Sequence, residues 1–214
     1  MEQCIDKAKN IIAKNIKWII LFICTIGFVL LAEDVFNKEI MKGDIIGYDF
    51  VSTYLISDFA TPVVKCVTNF GSGISLIIIS VILFVVIKDK KIGVSIFSNL
   101  AIATLLNVLL KNILQRPRPQ EYRIINESGY SFPSGHSMIS MAFYGFLIYL
   151  IYKKIKNKYL KWALIVLLGT LTVSIGVSRI YLGVHYTSDV IAGFLIAISY
   201  LIIFSGVVKR LSMV

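Results

Sequence analysis

Histidine occurs only twice in these 214 residues, proline four times and cysteine three times, and charged side chains make up just 16%. Each scarcity removes a class of protein. An ordinary soluble domain carries about 25% charged residues, so a freely soluble globular enzyme is excluded. Cys4, Cys24 and Cys66 fall in three different settings along the chain, and no pair is placed for a disulfide. No Pro-rich or low-complexity linker and no internal repeat marks off a second domain. With only His136 and His185 present, chemistry that needs an imidazole near neutral pH has two places to reside.

What fills the chain is hydrocarbon. Hydrophobic residues reach 57% and the mean hydropathy is +0.81. Six apolar runs are visible, at residues 16–32, 73–87, 92–110, 137–152, 160–177 and 187–208. Backbone groups in lipid must be satisfied within their own segment, so runs of this length predict helices. The expected fold is all-α, a polytopic bundle of six transmembrane helices forming one domain over residues 1–214. The first run follows Lys7, Lys9, Lys14 and Lys17 but leads into Leu30-Leu31-Ala32-Glu33-Asp34 without a small-x-small cleavage pattern, so it reads as a retained span. Ser95, Ser98, Asn99, Thr104 and Asn107 in the third run are expected at helix–helix contacts.

Charge orients such a bundle. Six spans put both termini on one side, and fourteen of the 22 Lys and Arg residues fall there. Short loops rich in these residues stay cytoplasmic, so both termini are predicted inside. Nine of the twelve acids, including Glu39, Asp44, Glu121, Glu127 and Asp189, are then predicted outside. The net charge of +10 is largely this topology signal, not a nucleic-acid surface. Residues 33–72 form the one long outer loop, where Val51, Tyr54, Leu55 and Phe59 keep helical spacing. Short interfacial helices on the outer leaflet are expected there, and they could cover a site entrance.

The polar residues gather in three clusters, all predicted on the outer side. His185 precedes Asp189 by four positions at the start of the last run. On a helix that spacing lets the carboxylate hold one ring nitrogen and leave the other free to attack. Pro133-Ser134-Gly135-His136 opens the fourth run: Ser134 suits an N-cap, Gly135 admits a ligand close to the backbone, and free N–H groups there favour an anion. Lys111, Arg118 and Arg179 supply cations suited to phosphate oxygens. Arg116 and Arg123 read instead as helix-end residues reaching lipid head groups. Two histidines and an aspartate could also be zinc ligands, but the surrounding cations would repel a divalent ion, so no metal site and no cofactor is expected.

Lys111-x6-Arg118-Pro119, Pro133-Ser134-Gly135-His136 and Ser178-Arg179-x5-His185-x3-Asp189 resemble the three-part signature of the type 2 phosphatidic acid phosphatase family, which vanadium haloperoxidases and glucose-6-phosphatase share. The signature occupies residues 111–189 in the family's order and spacing. The resemblance implies a metal-independent lipid phosphatase working through a phosphohistidine. His185 would attack phosphorus, Asp189 would hold its ring, and His136 would protonate the leaving oxygen and then help activate water. Lys111, Arg118, Ser134, Gly135 and Arg179 would hold the phosphate oxygens. Opposite protonation states for the two histidines predict a bell-shaped pH profile.

The haloperoxidase branch is soluble, unlike a chain with six spans. A membrane transporter for anions is the non-enzyme alternative. It would use the cations without needing the His–Asp pair. The expected partners are the bilayer and a lipid phosphate or diphosphate met at the outer face of the plasma membrane. No nucleic acid and no obligate protein partner are expected. Composition resembles that of bacterial chains, and the bacterial members offer undecaprenyl diphosphate, phosphatidylglycerol phosphate and phosphatidic acid as substrates.

Overall fold

A computed structural model of the chain describes residues 2–38, 41–120 and 123–213, with side chains from Asn15 onward. The expected sides of Cys4, Lys7, Lys9, Lys14, Glu39 and Glu121 concern side chains outside that description. Among the described residues there are eight helices and no strand. They are α1 (Glu2–Phe36), α2 (Lys42–Tyr54), α3 (Ala60–Asn69), α4 (Gly73–Val86), α5 (Lys90–Leu114), α6 (Gly135–Lys154), α7 (Lys158–Tyr181) and α8 (Thr187–Arg210).

Several helices start where a short polar side chain satisfies the free N–H groups of the first turn. Ser72 accepts from Ser75 N at 3.3 Å, Asp89 from Lys91 N at 3.0 Å and Asn157 from Leu160 N at 3.1 Å. Once started, the apolar runs carry the helices across hydrocarbon. α1 from Asn15, α5, α6, α7 and α8 are each long and apolar enough to cross a bilayer. Phe22, Val85, Leu105 and Val166 stay exposed on their outer faces, as lipid contact requires.

The expected second span is not one straight helix. α4 has 14 residues, a rise of about 21 Å against roughly 30 Å of hydrocarbon. α3, in the stretch assigned to the outer loop, joins it across a break with a bend of 54°, and the pair together qualifies as a sixth span. The helical spacing read from Val51 to Phe59 is also interrupted, since α2 ends at Tyr54 and α3 starts at Ala60. Ser57 holds the break. Its N–H donates to the Tyr181 hydroxyl at 3.1 Å, and its own hydroxyl caps Ala60 N at 3.1 Å.

α6 sits at the centre, packed on α5, α7 and α8, while α1 covers α8, α4 covers α5 and α3 covers α7. Close approach is possible where side chains are absent. A Cβ on Gly193 of α8 would lie 3.0 Å from the Ser134 carbonyl and 3.2 Å from Met138 N, both backbone atoms at the start of α6. Of the polar residues expected between helices, Ser95, Asn99 and Asn107 are buried, but Thr104 is exposed. Its hydroxyl is satisfied by the Leu100 carbonyl one turn back. Cys24 is buried in α1 and Cys66 is exposed on α3, both as free thiols.

The alternating helix directions bring the end of α5, the start of α6, the end of α7 and the start of α8 to one end of the bundle. α2 packs there against α7 and α8. The lysine-rich turns at residues 88–91 and 153–161, with Lys209 and Arg210, lie at the opposite ends of the same helices.

Candidate active site

His185 lies two residues before α8, so its pairing with Asp189 is made at a helix cap, not between two turns of one helix. Asp189 sits in the first turn and reaches back. Its Oδ2 accepts the Tyr186 N–H at 2.9 Å and stands 3.2 Å from His185 Nδ1. Arg118 Nη1 lies 3.1 Å from His185 Nε2. A guanidinium only donates, so Nε2 must accept and the ring proton is left on Nδ1, facing the carboxylate. Burial pushes the His185 ring down to about 4, with Asp189 opposing the shift and the Arg118 and Lys111 charges adding to it. The ring is therefore neutral at physiological pH and presents a lone pair on the side of the cations.

Arg118 is fixed by more than this contact. Its Nε donates to Gly129 O, Nη1 also to Val184 O and Nη2 to Ser128 O, each at 3.0 Å. Burial pulls its pKa below the ordinary arginine value; Glu127 opposes that shift and the Arg179 charge adds to it. Arg179, almost fully buried in the last turn of α7, donates through Nη1 to Thr68 at 2.9 Å and pairs through Nη2 with Glu127. Its Nε has no partner among the described residues. Lys111, in the last turn of α5, donates to the Tyr130 carbonyl, with Ser131 O at 3.4 Å. Arg118 thus touches Nε2 of His185, the Lys111 charge acts on the same ring and the Arg179 charge acts on Arg118, a cation set suited to a tetrahedral oxyanion.

The Pro-Ser-Gly-His turn forms the facing wall. Ser134 is the N-cap of α6, as its sequence position suggested, and is fully buried. Its N–H donates to the Asp189 carbonyl at 3.0 Å, joining the two helix starts backbone to backbone. A Cβ at Gly135 would meet Asn107 Oδ1 at 3.0 Å, so glycine leaves the Asn107 amide its place, with Lys111 Cε at an ordinary contact distance of 3.8 Å. His136 follows, half-buried, close enough to Arg179, Glu127, His185 and Arg118 for their charges to act on its ring. All eight residues expected at the site, from Lys111 to Asp189, are gathered here.

Three further residues, expected at this end of the bundle but not in the site, pair with its side chains. Arg116 does not reach out to head groups. Its side chain is 10% exposed and donates to Asp189 Oδ1, to the Ser188 hydroxyl and to Asp44 Oδ2, each at 2.7 Å. Burial works against its charge, yet the two carboxylates outweigh it and raise its pKa above the usual arginine value. Asp44, counted only as an outer-loop acid, is buried on α2. Glu127, on the loop before α6, is held below the usual carboxylate range because the Arg179 guanidinium outweighs its partial burial. Arg123, by contrast, folds back onto the Pro119 carbonyl. A hint was present for Arg116 alone, in the repeated Arg-Pro of residues 116–119.

A cavity of about 1200 Å³ opens beside this cluster. Val35, Phe36 and Ile113 make an apolar wall, while Arg116, Tyr48 and His185 line its polar part.

The model of the PAP2 superfamily matches residues 92–212. The chain belongs to the PAP2 superfamily. All three signature segments lie inside the matched stretch, within this PAP2 core. Among solved structures it is similar to one described as the first transmembrane PAP2 type phosphatidylglycerolphosphate phosphatase from Bacillus subtilis. The TM-score is 0.79 at 26% identity, covering 89% of this chain and 96% of that one. Among curated relatives, phosphatidylglycerophosphatase B of Bacillus subtilis is 41% identical over 92 residues, which is 42% of this chain and 45% of that protein. That match therefore spans less than half of the relative. Undecaprenyl-diphosphatase of Sulfolobus acidocaldarius is 28% identical over 170 residues, covering 75% of this chain and 73% of that protein. The fold is also that of Aquifex aeolicus LpxE, with a TM-score of 0.58 at 24% identity.

Proposed function

We propose that this PAP2 protein is an integral-membrane lipid phosphatase that works through a phosphohistidine on His185. The observation that carries the reading is the state of His185: its proton is directed to Asp189 while its lone pair faces Arg118 inside a cation cluster. An anion transporter would need the cations but not that oriented ring.

In the proposed reaction, a phosphate enters between Lys111, Arg118, Arg179 and the N–H groups at the start of α6. Its oxygens replace the His185 contact on Arg118 and compete with Glu127 for Arg179. Nε2 of His185 then attacks phosphorus in line, forming the N–P bond as the P–O bond to the lipid breaks. Asp189 stabilises the positive charge developing on the ring. His136, protonated, delivers its proton to the leaving lipid oxygen and afterwards takes one from the water that cleaves the N–P bond. Ser134 and Gly135 shape the anion-binding turn. The cations supply the charge stabilisation, so the reaction requires no metal ion.

The substrate is a lipid phosphate met at the membrane surface, either undecaprenyl diphosphate or phosphatidylglycerol phosphate, with phosphatidic acid as the third possibility. The names of the two curated relatives support the first pair, and the apolar wall of the cavity beside His185 suits a lipid chain. The lysine-rich turns at the opposite end support cytoplasmic termini and an outward-facing site in the cell membrane. Phosphate release by purified protein, with chelator present, across the three lipids is the direct test. Release from none of them would reject the function. Orientation has its own test: a cysteine introduced beside Glu127, in a background free of native cysteines, should react with an impermeant reagent on intact cells. Labelling only after lysis would reverse the topology.

A further inference from the structure

Asp189 is the carboxylate that steers His185, yet it is not alone. Its second oxygen accepts from Arg116, and the other arm of the same guanidinium is held by Asp44 at 2.7 Å. Ser188 closes the corner. Its N–H donates to Asp44 Oδ1 at 2.7 Å and its hydroxyl to Asp44 Oδ2 at 2.9 Å, while Arg116 donates to that hydroxyl at 2.7 Å. The Tyr186 ring lies beneath the guanidinium, 4.0 Å from centroid to Cζ. The side chains of Asp44, Arg116 and Asp189 are 4%, 10% and 0% exposed, so these charges interact with little screening.

The charge arithmetic gives Asp44 a purpose. Arg116 paired with Asp189 alone would neutralise the carboxylate that His185 depends on. A second carboxylate on the far arm offsets the guanidinium, and the trio keeps a net negative charge beside the ring. It also fixes the plane of the fork, and with it Asp189 Oδ1. The two carboxylates reach this corner from different parts of the chain, since Asp44 rides on α2 and Asp189 on α8.

We infer that Asp44 is a positioning residue for the reaction: through Arg116 it holds Asp189, and so ties interfacial helix α2 to the nucleophile. This rests on the phosphatase reading above. Among the described residues no hydrogen bond joins Asp44 to His185, Lys111, Arg118 or Arg179, so its influence passes through Arg116 and through Ser188, the residue before Asp189.

A double-mutant cycle tests that path. Phosphate release is measured on full-length protein in detergent micelles of phosphatidylglycerol phosphate, undecaprenyl diphosphate and phosphatidic acid, with chelator. Asp44→Asn is expected to lower kcat on the order of tenfold, with KM little changed, because the loss falls on the orientation of the reacting groups. Arg116→Gln should cost more, and adding Asp44→Asn to it should cost a smaller factor than Asp44→Asn costs alone. Arg116→Lys should recover only part of the loss, since an ammonium cannot fork between two carboxylates. If Asp44→Asn does not fold, Ser188→Ala carries the same test, with a smaller kcat loss that also shrinks in the Arg116→Gln background. A wild-type kcat for Asp44→Asn, or equal fold-losses with and without Arg116, overturns the inference while leaving the phosphatase standing. A wild-type protein that cleaves none of the lipids overturns the phosphatase reading, and this inference with it.

Discussion

Arg118 Nη1 stands 3.1 Å from Nε2 of His185 and Arg118 is itself buried, so the lone pair of the ring points at a cation. In the proposed reaction a phosphate oxygen takes over this contact on Arg118. The contact also keeps the ring in a single tautomer before any substrate arrives.

Replacing His185 with alanine should abolish turnover while leaving the cation set intact. A loss of at least about a thousandfold in kcat is expected, as when a nucleophile is removed from a preorganised site. Inorganic phosphate should still bind, measurable by calorimetry on the purified variant. Turnover within tenfold of the parent would remove His185 from its role.

The acid side of the pH profile follows from burial. His185 must be neutral to attack, and its ring is held down to about 4 against an ordinary value near 6.5. As pH falls, activity is therefore retained through pH 5 and lost only on approaching 4. The acid limb of kcat/KM reports this free-enzyme group. A limb centred at 6.5 or above would show a ring far more exposed to solvent than its surroundings allow.

In the proposed reaction Glu127 competes with the phosphate for Arg179. Its side chain is 31% exposed, so the ion pair is only partly desolvated and its loss should not unfold the protein. Glu127→Gln should free the guanidinium arm and remove a negative charge from the path of the substrate. A several-fold lower KM and stronger inhibition by inorganic phosphate are expected in steady-state assays. A raised KM would instead mean that Glu127 orients Arg179 for binding.

Gly193→Ala should damage both stability and rate. Its Cβ would press on two backbone atoms of α6, which cannot turn aside as a flexible side chain could. A destabilisation of about 1–3 kcal/mol is expected for such overpacking. Gly169→Ala on α7, where a Cβ meets nothing within 4 Å, is the matched control and should lose nothing. Thermal unfolding in detergent distinguishes them.

The helices of this chain were legible because hydrocarbon runs have one viable conformation in lipid. The eight site residues were legible because their spacings are short and their types scarce. The pairing of Asp44 with Arg116 was not, because 72 positions separate them and only the docking of α2 brings them together. Arg116 read as a head-group residue for the same reason: a cation at a helix end looks identical whether its partner is a lipid phosphate or a buried acid. The break between α3 and α4 escaped because α3 mixes Thr61, Lys65, Thr68 and Asn69 with its apolar residues, and hydropathy counts such a stretch as loop. Thr68, used by Arg179, lies in that overlooked helix.

The N–H of Ser134 donates to the carbonyl of Asp189, and Gly193 lets the two helices touch there. The spacing between the turn that would grip phosphate and the carboxylate behind His185 is thus written in main chain, provided position 193 carries no side chain. Lining residues such as Val35, Phe36, Ile45 and Tyr48 belong to α1 and α2, outside that joint. On the proposed function, lining residues of these two helices other than Asp44 can alter the fit of a lipid chain while the joint between α6 and α8 keeps its place.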